Sequence, residues 1–297
     1  MRIQEGVEKS ITLSSARLSY FERNAHLKTK GPTLLFVHAT GFHARVWDKI
    51  INALGEHHSI SLDQRGHGQS EKLKISHWDE VVSDTEEFIK ELELKNLVAI
   101  GHSMGGHALI GAAASTPSKF KKIIAIDPVI PDPDSFQQQN SVLLEEIDNH
   151  PIAKRRDQFS SLEEMMERLK NKGSYGIFDP EIFEDYCRYG LIKNPDGPGY
   201  SLACPPEIEA SVYSSSRTNA KIYESLKTLS FPVLIVRAKE RDPSKETMDF
   251  SSSPTWKNLV NEFQNAREIY FPKNTHFLPM EIPEKITEII NTEISEL

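Results

Sequence analysis

The sequence predicts an α/β protein: an eight-stranded, mostly parallel sheet with helices on both faces, plus one mainly helical insertion. Three observations predict it. Short apolar, β-branched runs recur along the 297 residues, amphipathic stretches separate them, and the alternation stops between about Pro131 and Thr228. Continuous apolar strands alternating with helices indicate a parallel sheet covered on both faces.

The elements follow in order. Lys9–Leu13 and Arg17–Phe21 alternate polar and apolar residues, as in an antiparallel hairpin exposed on one face. Thr33–Val37, His58–Leu62, Leu97–Ile100, Ile123–Ile126, Val233–Val236 and Glu268–Phe271 read as buried strands. Val46–Leu54, Trp78–Leu94, Met104–Ala114, Trp256–Phe263 and Pro283–Ile294 carry helical spacing. The predicted core is therefore 1–131 with 229–297, and 132–228 is an insertion. Its segments Phe159–Lys170, Ile177–Tyr189 and Pro205–Tyr213 read as short helices, with Asn194-Pro-Asp-Gly197 as a turn. An insertion between strands of such a sheet is expected over its carboxyl edge, where ligands bind.

Composition narrows the function. With 38% hydrophobic and 26% charged residues the chain is of ordinary globular type, and its net charge of −8 argues against a nucleic-acid partner. Two cysteines, Cys187 and Cys204, are too few for a disulfide framework or zinc site, so reduced thiols are expected. The first residues lack the basic and apolar regions of a signal peptide, and no run approaches the roughly 18 apolar residues of a spanning helix. A cytoplasmic location without membrane contact is the expectation.

The chemistry starts at Gly101-His102-Ser103-Met104-Gly105-Gly106, which directly follows the strand LVAI and directly precedes the small-residue helix HALIGAAAS. A serine on a tight strand-to-helix turn has strained torsions and needs small neighbours, which Gly101 and Gly105 supply. The helix points its positive end and free backbone N–H groups at the reacting carbon. The Met104 N–H is then positioned to bind a developing oxyanion. Ser103 is the expected nucleophile.

With GHSMGG stand two further motifs. Asp63-Gln-Arg-Gly-His-Gly-Gln-Ser70 resembles a D-x-R-G-x-G-x-S segment, and Val37-His38-Ala39-Thr40-Gly41-Phe42 an H-G loop. In these three ordered motifs, over nearly its full length, the chain resembles the α/β-hydrolase superfamily in its serine-nucleophile, cap-bearing branch. The insertion falls at the usual cap position. By the matching position the Thr40 N–H is the second oxyanion donor, although Ala39 stands where the family usually has glycine.

A serine hydroxyl needs a base to take its proton and an acid to orient that base. His276 follows the last strand, REIYFP, and THFLPMEIPE resembles the family's H-F-x-x-x-E-x-P-E ending, so the resemblance makes His276 the base. It makes Asp242, after PVLIVRAKER, the acid, with Asp127 at the end of IIAID and nearby Glu240 as alternatives. His38 is expected to fix its loop by bonding backbone groups. With Trp47, His102, Phe178 and Tyr186 it also forms the set expected at the substrate, the aromatic rings lining an apolar acyl pocket.

The expected function is a serine hydrolase cleaving a small to medium carboxylic ester, thioester or lactone through an acyl-enzyme on Ser103. No cofactor or metal is expected, since neither a dinucleotide fingerprint nor metal-ligand spacing occurs. The expected partner is a small-molecule substrate, and the sequence does not say whether the chain is a monomer or a homodimer. Cofactor-free perhydrolase, lyase or acyltransferase chemistry on the same fold is the alternative, as is a slow-turnover ligand-binding protein. Competing nucleophiles and ligand-binding measurements separate these.

Overall fold

The computed structural model describes residues 6–136, 147, 149–241 and 250–297. Eight of its strands form one sheet: β1 (Val7–Thr12), β2 (Arg17–Arg23), β3 (Thr33–Val37), β4 (Ser59–Leu62), β5 (Leu97–His102), β6 (Phe120–Ile126), β10 (Val233–Ala238) and β11 (Ala266–Phe271). Their order is β1-β2-β4-β3-β5-β6-β10-β11. The sheet is parallel from β4 to β11, and β2 pairs antiparallel with both β1 and β4. The hairpin departs from the expected one-sided exposure. The edge strand β1 is exposed along nearly all its length, whereas β2, paired on both sides, is largely buried.

The central strands are apolar throughout because both faces are covered, yet their side chains still alternate. Leu34, Phe36, Val98, Ile100, Ile124, Ile126, Leu234 and Val236 join one core cluster. Their neighbours Leu35, Val37, Leu97, Ala99, Ile123, Ala125, Val233 and Ile235 join the cluster on the opposite face. Helix α1 (Asp48–Ala53) packs on the first face with the C-terminal helix Pro283–Ser295, while α2 (Asp79–Glu91) packs with α3 (Met104–Ser115). The stretch near Trp256–Phe263, expected as a helix, forms only a 3-10 turn at Leu259–Glu262.

Between β6 and β10 no strand joins the large sheet among the described residues. The insertion carries helices at Leu162–Leu169, Pro180–Tyr189, Pro206–Ser214 and Ile222–Thr228. It also carries a small antiparallel sheet, ordered β7-β9-β8, from β7 (Gln158–Phe159), β8 (Leu191–Lys193) and β9 (Tyr200–Leu202). Strands of two or three residues are too short to show a period, which is why a mainly helical segment was expected. Met165, Phe178, Ile182, Phe183, Tyr186, Leu191 and Leu202 belong to the same apolar cluster as Phe42 and Phe277. The insertion thus shares a core with the loops at the carboxyl ends of the strands.

Candidate active site

Ser103 stands between β5 and α3 with φ 57° and ψ −117°, a region that L-residues rarely enter. The turn is held by crowding that only glycine tolerates. A Cβ on Gly101 would lie 2.6 Å from the Gly105 carbonyl carbon, and one on Gly105 would lie 2.3 Å from the Val37 oxygen. The Ser103 N–H donates to the Ile126 carbonyl at 3.0 Å, which ties the elbow to the end of β6.

Next along that edge is Asp127, also with positive φ (46°), whose N–H donates to the Val236 carbonyl at 2.7 Å. Its carboxylate is fully buried but well supplied with donors. Oδ1 accepts from the Ala238 N–H at 2.9 Å and from the Ser253 hydroxyl at 2.5 Å. Oδ2 lies 2.7 Å from His276 Nδ1, and His276 Nε2 lies 2.9 Å from Ser103 Oγ. A carboxylate can only accept, so Nδ1 carries the proton and Nε2 is free to take one from the serine. His102 does not face the reaction. Its Nε2–H donates to the His276 carbonyl at 2.8 Å and anchors the base's loop from within the core.

Among the described residues the carboxylate bonded to His276 is Asp127, where the sequence reading expected Asp242. Asp127, the alternative, occupies the place on His276 that had been assigned to Asp242. Asp242 itself lies outside the described residues. Glu240 is directed elsewhere, half-exposed and 3.6 Å from Arg237 Nη1. The physical reason is strand order: β6 directly neighbours β5, so a residue at its end stands one strand from the serine.

Thr40 and Met104 meet across the elbow, with Thr40 Oγ1 3.7 Å from Met104 Sδ. Among the described residues neither backbone N–H donates to an acceptor, so both remain available. The loop carrying Thr40 is braced by two histidines. His38 Nδ1–H donates to the Ala39 carbonyl at 2.7 Å, and its Nε2 accepts the Gln64 N–H at 3.1 Å. His67 Nδ1–H donates to the Arg65 carbonyl at 2.8 Å, and its Nε2 accepts the Gly41 N–H at 3.0 Å. Burial pushes the His67 imidazole down to about 4 and His38 well below its ordinary value, so both rings stay neutral. Asp63 completes the brace by accepting from the N–H groups of Ala44 and Gln69. The Asp63–Ser70 motif is scaffold for the oxyanion loop.

With this geometry established, the chain can be compared with known proteins. The profile of the Alpha/beta hydrolase family matches residues 34–289. The chain belongs to the alpha/beta hydrolase family. Among curated relatives, it resembles the 2-(acetamidomethylene)succinate hydrolase of Mesorhizobium japonicum, 30% identical over 106 residues, covering 35% of this chain and 38% of the relative. It also resembles lipase LipV of Mycobacterium tuberculosis, 23% identical over 189 residues, covering 62% of this chain and 68% of the relative. The first two curated relatives are thus matched over less than half of their length, 38% and 46%. Among solved structures, an E-2-(acetamidomethylene)succinate hydrolase superposes with a TM-score of 0.75 at 19% identity, covering 98% of this chain and all of that one. At that identity the likeness shows the fold.

Three residues expected at the substrate of this alpha/beta hydrolase have other tasks. His38 is buried under the oxyanion loop, His102 tethers His276, and fully buried Trp47 packs against Phe36 with ring centroids 5.4 Å apart. His38 and His102 sit close to Thr40 and Ser103 in sequence, but their side chains, like that of Trp47, are buried in the core. Phe178 and Tyr186 do reach the site's surroundings, packing on Phe42 at 6.1 and 5.1 Å. Phe178 also stacks near Phe277, beside the base.

Sequence reasoning missed Ser253, Phe250, Arg155 and Glu209. Phe250 stacks on His276 at 6.5 Å between ring centroids. Arg155 and Glu209 form an ion pair beside Gly41, 2.5 Å between Nη2 and Oε2, in which Glu209 is buried and the Arg155 side chain is 33% exposed. None of the four belongs to a local motif that spacing reveals. Among the described residues no helix is long and apolar enough to cross a membrane, and no group of three His, Cys, Asp or Glu side chains is placed to hold a metal.

Proposed function

We propose that the protein is a serine hydrolase that cleaves a small to medium carboxylic ester, thioester or lactone through an acyl-enzyme on Ser103. The observation that carries this reading is the continuous Asp127–His276–Ser103 hydrogen-bonded line, ending beside two uncommitted N–H groups. Ser103 Oγ attacks the substrate carbonyl as His276 Nε2 takes its proton. The Thr40 and Met104 N–H groups hold the oxygen that becomes negative. His276 then gives the proton to the leaving oxygen or sulfur, the bond to it breaks, and the acyl group stays on Ser103. Water, deprotonated by the same Nε2, attacks the acyl-enzyme; the acid leaves and Ser103 regains its proton. Asp127 keeps the imidazole in the required tautomer and stabilises the imidazolium. The named activities of the relatives, a succinate-derivative hydrolase and a lipase, support hydrolysis at an acyl carbon.

A fluorophosphonate probe tests the reading. It is expected to label the wild-type protein at Ser103 and to leave Ser103→Ala unlabelled; an inert wild type sinks the assignment. Product formed with peroxide or an acceptor alcohol but not with water would replace the hydrolase by another acyl transfer.

A further inference from the structure

An acyl pocket for plain hydrocarbon chains needs only apolar walls, and the space above this oxyanion loop is not built that way. Gly41 and Phe42, which follow the Thr40 donor, border a cavity of about 10 Å³ that is also lined by Arg155, Met165, Tyr186 and Cys204. That is room for about one water-sized polar atom. Arg155 holds Glu209 through Nη2 at 2.5 Å, with Nη1 3.5 Å from Oε1. Its Nε–H is buried and has no acceptor among the described residues. Glu209 in turn rests on the loop itself, since a Cβ on Gly41 would come within 2.7 Å of its Oε1.

We infer that this patch recognises a neutral hydrogen-bond acceptor, an amide or second ester carbonyl, on the acyl part of the substrate. The inference rests on the hydrolase reading and adds the substrate class to it. His276 protonates the leaving group, so that group lies on the histidine side. On this proposal the acyl part lies toward the loop Gly41–Phe42, which borders the cavity that Arg155 lines. Charge balance selects a neutral ligand. Arg155 and Glu209 cancel, so a substrate carboxylate would gain one attraction and suffer one repulsion of similar size. A hydrocarbon would leave the guanidinium N–H buried and unpaired. A carbonyl oxygen satisfies it at no charge cost. Tyr186, which lines the cavity and whose hydroxyl lies 3.1 Å from that of Tyr175, adds a polar but neutral group to the wall.

The test is a matched ester series on the full-length protein, with acyl chains of equal length that end in methyl, carboxamide or carboxylate. For the wild type, kcat/KM with the carboxamide is expected to exceed both others by roughly tenfold to hundredfold, the effect of one hydrogen bond to a charged donor. Glu209→Gln uncovers the Arg155 charge and is expected to shift the preference toward the carboxylate. Arg155→Lys, which keeps the charge but removes the Nε–H, is expected to bring the carboxamide-to-methyl ratio toward one. A wild-type preference for methyl or for carboxylate overturns the inference, as does a carboxamide preference that both variants retain. Fluorophosphonate labelling of the same preparations separates the two readings. A labelled Ser103 with a flat ester series overturns only this inference, and an unlabelled wild type overturns the hydrolase reading with it.

Discussion

Asp127 Oδ2 lies 2.7 Å from His276 Nδ1 across 149 residues of sequence, and this contact is the ground for proposing Asp127 as the carboxylate that orients the base. Asp127→Asn offers His276 an amide that can present its N–H and favour the wrong tautomer. The kcat is expected to fall by about 10⁴-fold, with little change in KM. Asp242→Asn is expected to stay within a few-fold of wild type. Steady-state kinetics of the two variants check the assignment, and the reverse pattern would return the role to Asp242.

Ser253 is expected to matter through Asp127 rather than through substrate. Its hydroxyl is the shortest donor to Oδ1, and its own N–H is held by the Lys239 carbonyl at 2.8 Å. Ser253→Ala leaves part of a buried carboxylate unsatisfied, a loss on the order of 1–3 kcal/mol. A kcat reduced by about tenfold with unchanged KM is the expected result, and a change confined to KM would place Ser253 at the substrate instead.

Acid should destabilise the fold through its buried histidines, against a smaller opposing contribution from Asp63 and Asp185, whose carboxyls burial raises to about 6 and about 7. Burial holds His43, His67 and His107 down to about 4, and His38 and His102 well below their ordinary value. The unfolded chain takes up protons on these rings near pH 6.5. Between about pH 6.5 and 4 the unfolded state therefore binds more protons, and stability rises with pH at about 1.4 kcal/mol per unit for each such ring. The stability is fully present above 6.5 and lost as the pH falls. Urea midpoints at pH 7.5 and 5 measure it, and equal midpoints would refute it.

Gly41→Ala is expected to damage both stability and labelling. The backbone there has φ 77°, and the added methyl would meet the Glu209 carboxylate. Strain of about 1–2 kcal/mol from the backbone adds to the displaced ion pair. A lower Tm should accompany slower fluorophosphonate labelling, because Thr40 moves with its neighbour; wild-type values for both would show that the loop is not braced from above.

The sequence alone determined whatever is local in the chain. The five inner parallel strands are legible because burial on both faces demands continuous apolar runs, whereas the edge strand β11 is only partly buried. Ser103 is legible because its turn confines glycine to fixed offsets. His276 could be placed by its position after the last strand. Only the tertiary structure decided which distant groups meet. Asp127 and Asp242 each follow an apolar strand, and no spacing says which strand lies beside β5. His38 and His102 lie close to Thr40 and Ser103 in sequence, yet packing turns their side chains into the core. Arg155 and Glu209 are separated by 54 positions and share no motif, so their pairing above Gly41 exists only once the insertion folds back over that loop. Secondary structure follows from periodicity and crowding within a few residues. Contacts between remote side chains depend on strand order and loop paths, which local patterns leave open.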